Sequence, residues 1–76
     1  MAYIDMELNA QNMTSPQPMV KTLRAMDQLR AGQVLKVTTT EPCSIPNFEA
    51  MCSQLGHKIM QIIDWDGEYT FLLQKA

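Results

Sequence analysis

Ile4, Met6 and Leu8 alternate with Asp5 and Glu7, the period of two expected of a strand with one buried face. Asn9 to Thr14 is polar without a period and reads as a loop. Ser15-Pro16-Gln17-Pro18 then opens a helix. Ser15 is a favoured cap, Pro16 suits the first helical position, and Pro18 still falls within the first turn. Met19, Val20, Leu23, Met26 and Leu29 follow at helical spacing. Gly32 stands where a left-handed residue should close this helix, and Arg30 suits its last turn.

Val34 to Thr40 reads as a second strand, with Leu35, Val37 and Thr39 on one face and Lys36 and Thr38 on the other. Glu41-Pro42 breaks it. Phe48, Met51, Cys52 and Leu55 form a helical stripe that ends at Gly56, with Ser44 and Asn47 as alternative caps. Lys58 to Trp65 is a third strand. Trp65-Asp66-Gly67-Glu68 predicts a tight hairpin, and Tyr69, Phe71 and Leu73 mark the fourth strand. The order is β-α-β-α-β-β. Two crossovers imply parallel neighbours and the hairpin an antiparallel pair, so the sheet should be mixed. Each helix has one apolar stripe. The fold class is α/β in the wider α+β sense: a two-layer sandwich whose four-stranded sheet carries both helices on one face and is wet on the other. At 76 residues the chain is expected to be one domain, 1–76.

Composition narrows the function. A hydrophobic content of 46% with 18% charged residues argues against disorder. Two Cys do not make a disulfide scaffold. No run approaches about 18 apolar residues, and no basic-then-apolar N-terminus appears, so neither a membrane span nor a signal peptide is expected. A net charge of −2 argues against nucleic-acid binding, which needs a basic surface. The seven Met residues are unusual.

Candidate chemistry is sparse. His57 is the only His and reads first as a turn residue at the end of the second helix. Cys43 and Cys52 match no zinc spacing, and no metal site or cofactor is expected. Cys52 lies within an apolar stripe and reads as core. Cys43 falls at the mouth of the second helix, where a dipole lowers a thiol pKa, or it is simply a small residue there. Asp64, Asp66 and Glu68 suit a solvated hairpin tip, Lys21, Arg24 and Arg30 a solvated helix face, and Thr38 to Thr40 a strand. Ser15 reads as a helix cap. As a nucleophile it lacks a visible general base.

The stretch Asn12-Met13-Thr14-Ser15-Pro16-Gln17-Pro18-Met19-Val20-Lys21-Thr22 nevertheless resembles the signature of the TusA (SirA/YeeD-like) family of small sulfur-carrier proteins, which opens its first helix with Cys-Pro-x-Pro. The similarity continues through Ala31-Gly32, Glu41-Pro42, Gly56-His57, the hairpin and Phe71-Leu72-Leu73-Gln74-Lys75, nearly the whole chain. The family's fold is the β-α-β-α-β-β sandwich already inferred. The resemblance implies that the residue at position 15 carries sulfane sulfur as a persulfide, and here that position is Ser15 rather than Cys. A thiol at a helix mouth meets free N–H groups and the positive dipole end, which favour sulfur anions. Serine keeps the shape but not this chemistry, so the chain as it stands is expected to be inactive as a sulfurtransferase. Either the Cys was exchanged for Ser by engineering, or this is a natural member that gave up sulfur transfer for binding.

By the same resemblance, Pro16 and Pro18 shape the site, and Lys21 and Arg24 offer positive potential to an anionic substrate or acidic partner. Met13 and Met19, if exposed, form an adaptable apolar rim for several partners. Cys43 is a possible second thiol. Partners would be sulfur-donor and sulfur-acceptor proteins in the cytoplasm. Alternatives are a cytoplasmic partner of a membrane thiosulfate transporter and a binding module without sulfur chemistry. Met26, Met51, Met6 and Met60 read as core or sheet positions.

Overall fold

The computed structural model describes residues 3–76. β1 (Met6–Ala10), α1 (Gln17–Asp27), β2 (Val34–Thr39), α2 (Ser44–Leu55), β3 (Lys58–Trp65) and β4 (Glu68–Gln74) follow one another in the predicted order. The expected domain begins at residue 1, and residues 1 and 2 lie outside the described residues.

The sheet order is β1-β2-β4-β3. β1 runs parallel to β2, while β4 is antiparallel to both β2 and β3. The sheet is therefore mixed, as expected, with one refinement. Only the first crossover joins neighbours. The second carries the chain over the place that β4 later fills, so β2 and β3 are parallel but separated.

The register explains the core. Leu8, Val37 and Phe71 stand side by side across three strands, and Met6, Leu35 and Leu73 form the next row. Leu35, Val37, Phe71 and Leu73 are fully buried, with Met26, Phe48, Met51 and Cys52 descending from the helices onto the same face. Phe48 meets Phe71 at a ring-centroid distance of 4.5 Å and an interplanar angle of 48°, which anchors α2 over β4. The opposite face carries the Lys36–Glu7 ion pair, at 3.8 Å, and outward-facing Thr38 and Thr70.

Element ends depart from the sequence reading. Ile4 precedes β1, which starts after Asp5 clasps Val34: the Asp5 N–H donates to Val34 O and the Val34 N–H to Asp5 Oδ2. Asn9 and Ala10 belong to the strand, not the loop, because Ala10 fits fully buried beside Thr39. α1 is capped by Pro16 rather than Ser15 and has no side-chain cap bond. Pro18, not Pro16, occupies its first turn and is buried. α1 ends at Asp27, so Arg24 is the basic residue of its last turn, while Arg30 and Gly32 lie in the following turn. Gly32, at φ +88°, turns the chain into β2 instead of closing the helix.

The buried face of α1 is also rotated from the predicted stripe. Pro18, Thr22, Ala25 and Met26 face the sheet, because the small Pro18, Thr22 and Ala25 allow close approach. Val20 and Leu23 are left 41% and 36% exposed. In α2, Cys43 is the cap without a side-chain bond, and neither Ser44 nor Asn47 serves. Gly56 closes the helix in the left-handed conformation, as predicted. The tight hairpin also forms, with Asp66 and Gly67 both at positive φ.

Candidate functional site

β1 and β2 are parallel, so the loops leaving their C-terminal ends lead into α1 and α2 at the same end of the sheet. The two loops are tied together. Asn12, at φ +63°, donates its N–H to Thr40 Oγ1 at 2.9 Å. One step deeper, Thr39 Oγ1 donates to Ser44 Oγ at 2.8 Å, and both residues are buried. This hydroxyl pair pins the start of α2 to the end of β2. Thr39 and Thr40 thus do more than favour a strand. Their hydroxyls hold both helix starts, through contacts that local sequence pattern does not show.

Ser15 lies on this end of the molecule. It is exposed, and its hydroxyl has no hydrogen-bond partner among the described residues. A turn encloses it: the Gln17 N–H donates to Thr14 O at 2.9 Å, and the Ser15–Pro16 peptide bond is cis. The first helical bond runs from the Val20 N–H to Pro16 O, at 3.1 Å. Prolines remove two of the donors that a helix mouth usually offers, and Gln17 spends a third on Thr14. The Met19 N–H is what remains. The anion-favouring field expected at position 15 therefore draws on fewer N–H groups than a Ser15-capped helix would provide.

The flanking residues divide. Lys21 and Arg24 are exposed on α1. Among the described residues the one ion pair is Lys36–Glu7, so both cations are unpaired. They share a shallow depression of about 290 Å³ with Pro16, Gln17 and Val20. Met13 and Met19 are half-buried and pack against the core, so the expected exposed rim is only partly presented. A groove of about 390 Å³ runs between the helices, floored by Met19, Leu23, Met51 and Leu55. Sequence reasoning missed this groove because it counted Leu23 and Leu55 as buried, and Leu55 is 52% exposed.

Cys43 is exposed and free, with its N–H 3.4 Å from Glu41 Oε1. Cys52 is buried, and burial pushes its thiol pKa up, away from reactivity. His57 sits far from this end. Its Nδ1 accepts the Ala76 N–H at 3.0 Å. Desolvation, then the Lys75 charge, lower its pKa, and Asp27 opposes them. Asp64, Asp66 and Glu68 are exposed along the hairpin. No helix among the described residues is long and apolar enough to cross a membrane.

Comparison with known proteins bears on this arrangement. A family model described as "Sulfurtransferase TusA" matches residues 6–75. The sulfur carrier protein TusA of Allochromatium vinosum is 33% identical over 76 residues, covering all of both chains. A putative sulfur carrier protein of Neisseria meningitidis is 31% identical over 67 residues, covering 88% of this chain and 90% of its own. Putative sulfur carrier protein YrkI of Bacillus subtilis is 31% identical over 72 residues, covering 95% and 96% respectively.

Proposed function

The chain belongs to the TusA family of sulfur carriers, and from that premise we propose that position 15 is the sulfur-carrying position and that Ser15 stands there in place of a Cys. A sulfur carrier implies sulfur-donor and sulfur-acceptor partners. In the Cys form, the thiolate attacks the sulfane sulfur of a donor persulfide. A new S–S bond forms on the carrier, and the donor leaves as its own thiolate. An acceptor thiolate then attacks the terminal sulfur and releases the carrier thiolate. Each step exchanges one S–S bond for another and needs no oxidant.

The observation that carries this reading is the placement of Ser15. It is exposed, without a hydrogen-bond partner among the described residues, and held on a turn between a buried proline and a core strand. A side chain so placed can enter a partner's active site without unfolding anything. Pro16 and Pro18 fix the turn and the helix start. Lys21 and Arg24 supply uncompensated positive charge beside it for an anionic thio-substrate or an acidic partner surface. Met13 and Met19 line its apolar border. Serine keeps this geometry, but its hydroxyl forms no S–S bond, so the chain as it stands docks without carrying sulfur at position 15.

Ser15→Cys tests this directly, made in a Cys43→Ser background so that one exposed thiol remains. With glutathione persulfide as donor, intact mass should rise by about 32 Da, one sulfur atom. The added sulfur should then pass to a second thiol. The Ser15 chain carrying Cys43→Ser should gain nothing. Absence of the adduct in the Cys form, or an equal gain in the Ser15 control, would sink the reading.

A further inference from the structure

We propose that the outer edge of β1 is a docking edge for an extended segment of a partner protein. The segment would add to the sheet as a fifth strand, with an apolar and an acidic side chain at successive inward-facing positions. β1 stands at one end of the sheet and pairs only with β2. The Lys75 N–H donates to Gln33 O, so along β2 the main-chain groups of Leu35 and Val37 turn to β4, and those of Val34, Lys36 and Thr38 turn to β1. With Met6 level with Leu35 and Leu8 level with Val37, the main-chain groups of Met6 and Leu8 meet β2. Those of Glu7 and Asn9 are left on the outer side, without strand partners among the described residues.

The two edges of this sheet differ. β3, the other edge, breaks its ladder with an irregularity between Ile59 and Gln61 and carries Lys58, both devices that discourage strand addition. β1 has no bulge, Pro or Lys.

The surface beside β1 indicates what fits. A depression of about 250 Å³ lies between β1 and α1, lined by Met6, Leu8, Lys21, Arg24, Ala25 and Gln28. An added strand would direct its inward side chains into this space. Met6, Leu8 and Ala25 offer apolar contact. Lys21 and Arg24 offer two cations with no ion-pair partner among the described residues. Charge complementarity thus selects an acidic segment, although the chain itself carries a net charge of −2. A second copy is the poorer occupant, because pairing β1 with β1 would bring the unpaired Lys21 and Arg24 of both copies together across the seam. Recognition of this kind takes affinity from main-chain hydrogen bonds and specificity from alternate side chains.

The inference does not rest on sulfur chemistry, so the Ser15 chain can be tested as it is. The probe is an end-blocked octapeptide, Thr-Val-Thr-Asp-Thr-Val-Thr-Glu, with a counterpart in which Lys replaces both acids. Saturating acidic peptide should slow hydrogen exchange of the Glu7 and Asn9 amides at least about tenfold. The Lys counterpart should bind at least about tenfold more weakly, and the double variant Lys21→Glu, Arg24→Glu should reverse that order. Three outcomes would overturn the proposal. One is no saturable protection at Glu7 and Asn9 up to about millimolar peptide. Another is equal binding of the two peptides. The third is sedimentation showing that the free chain already pairs through this edge as a dimer.

Discussion

Thr22 is fully buried on the sheet-facing side of α1, and its Oγ1 has no hydrogen-bond partner among the described residues. A buried hydroxyl without a partner loses its hydration and gains nothing in return. Thr39 and Ser44 show the alternative, since their buried hydroxyls satisfy one another at 2.8 Å. Valine has the shape of threonine without the oxygen. Thr22→Val should therefore stabilise the chain by about 1 kcal/mol, seen as a higher urea midpoint at unchanged slope. A lower midpoint would mean that the hydroxyl bonds a carbonyl one turn back in solution, and the predicted gain would fail. Residue roles of this kind are only half legible in sequence. Thr22 and Cys52 are equally small residues inside helices, yet sequence placed only Cys52 in the core. The reason is that helical periodicity was assigned to the larger Val20 and Leu23, which close packing leaves outside.

The ends of the elements are decided by groups remote in sequence. The last turn of α1 tightens as the Gln28 and Leu29 N–H groups reach back to Ala25 O and Met26 O. Lys75 Nζ then donates to Met26 O at 2.7 Å, placing a cation at the negative end of the helix. Lys75 also exchanges main-chain bonds with Gly32 and Gln33, and the Ala76 N–H donates to His57 Nδ1. The end of β4 thereby clasps α1, the turn after it and the end of α2. Local pattern could place β3 correctly over Lys58–Trp65, because a β-branched run ends there at Asp-Gly. It could not place the end of α1, because what settles that end arrives 49 positions later.

The clasp has a pH signature. Only neutral His57 can accept the Ala76 N–H, and its folded pKa lies below the ordinary 6.5. As pH falls, the unfolded chain therefore takes up this proton first. The stabilisation is complete above about pH 6.5 and is lost as pH falls through the lower folded value. Between about pH 7.5 and 5.5 the chain should lose more of its urea midpoint than His57→Gln does. Equal losses would remove His57 from the explanation.

For the whole molecule, the question is what keeps the site end in one piece. The motif of the candidate site, Ser15 to Arg24, is legible in the sequence, but its setting in the fold is not. The bond between Asn12 and Thr40 spans 28 positions, and it joins loops whose neighbourhood depends on the sheet order. That order in turn requires α2 to cross over β4 and stay there, and Phe48 meets Phe71 of β4 at this crossing. A chain of 76 residues has a total stability of roughly 4–11 kcal/mol. Truncating a buried phenylalanine costs about 3–5 kcal/mol. These ranges overlap, so Phe48→Ala should bring the thermal transition close to room temperature or abolish its cooperativity, as followed by near-UV circular dichroism. Trp65→Ala is the size-matched control at a residue 76% exposed on the hairpin, and it should change stability by no more than about 0.5 kcal/mol. If Phe48→Ala unfolds cooperatively near the original midpoint, α2 is held by something other than the aromatic pair. The loop tie between Asn12 and Thr40 would then have to bear on the sheet directly, and Ser15 would owe its position to β1 and β2 alone.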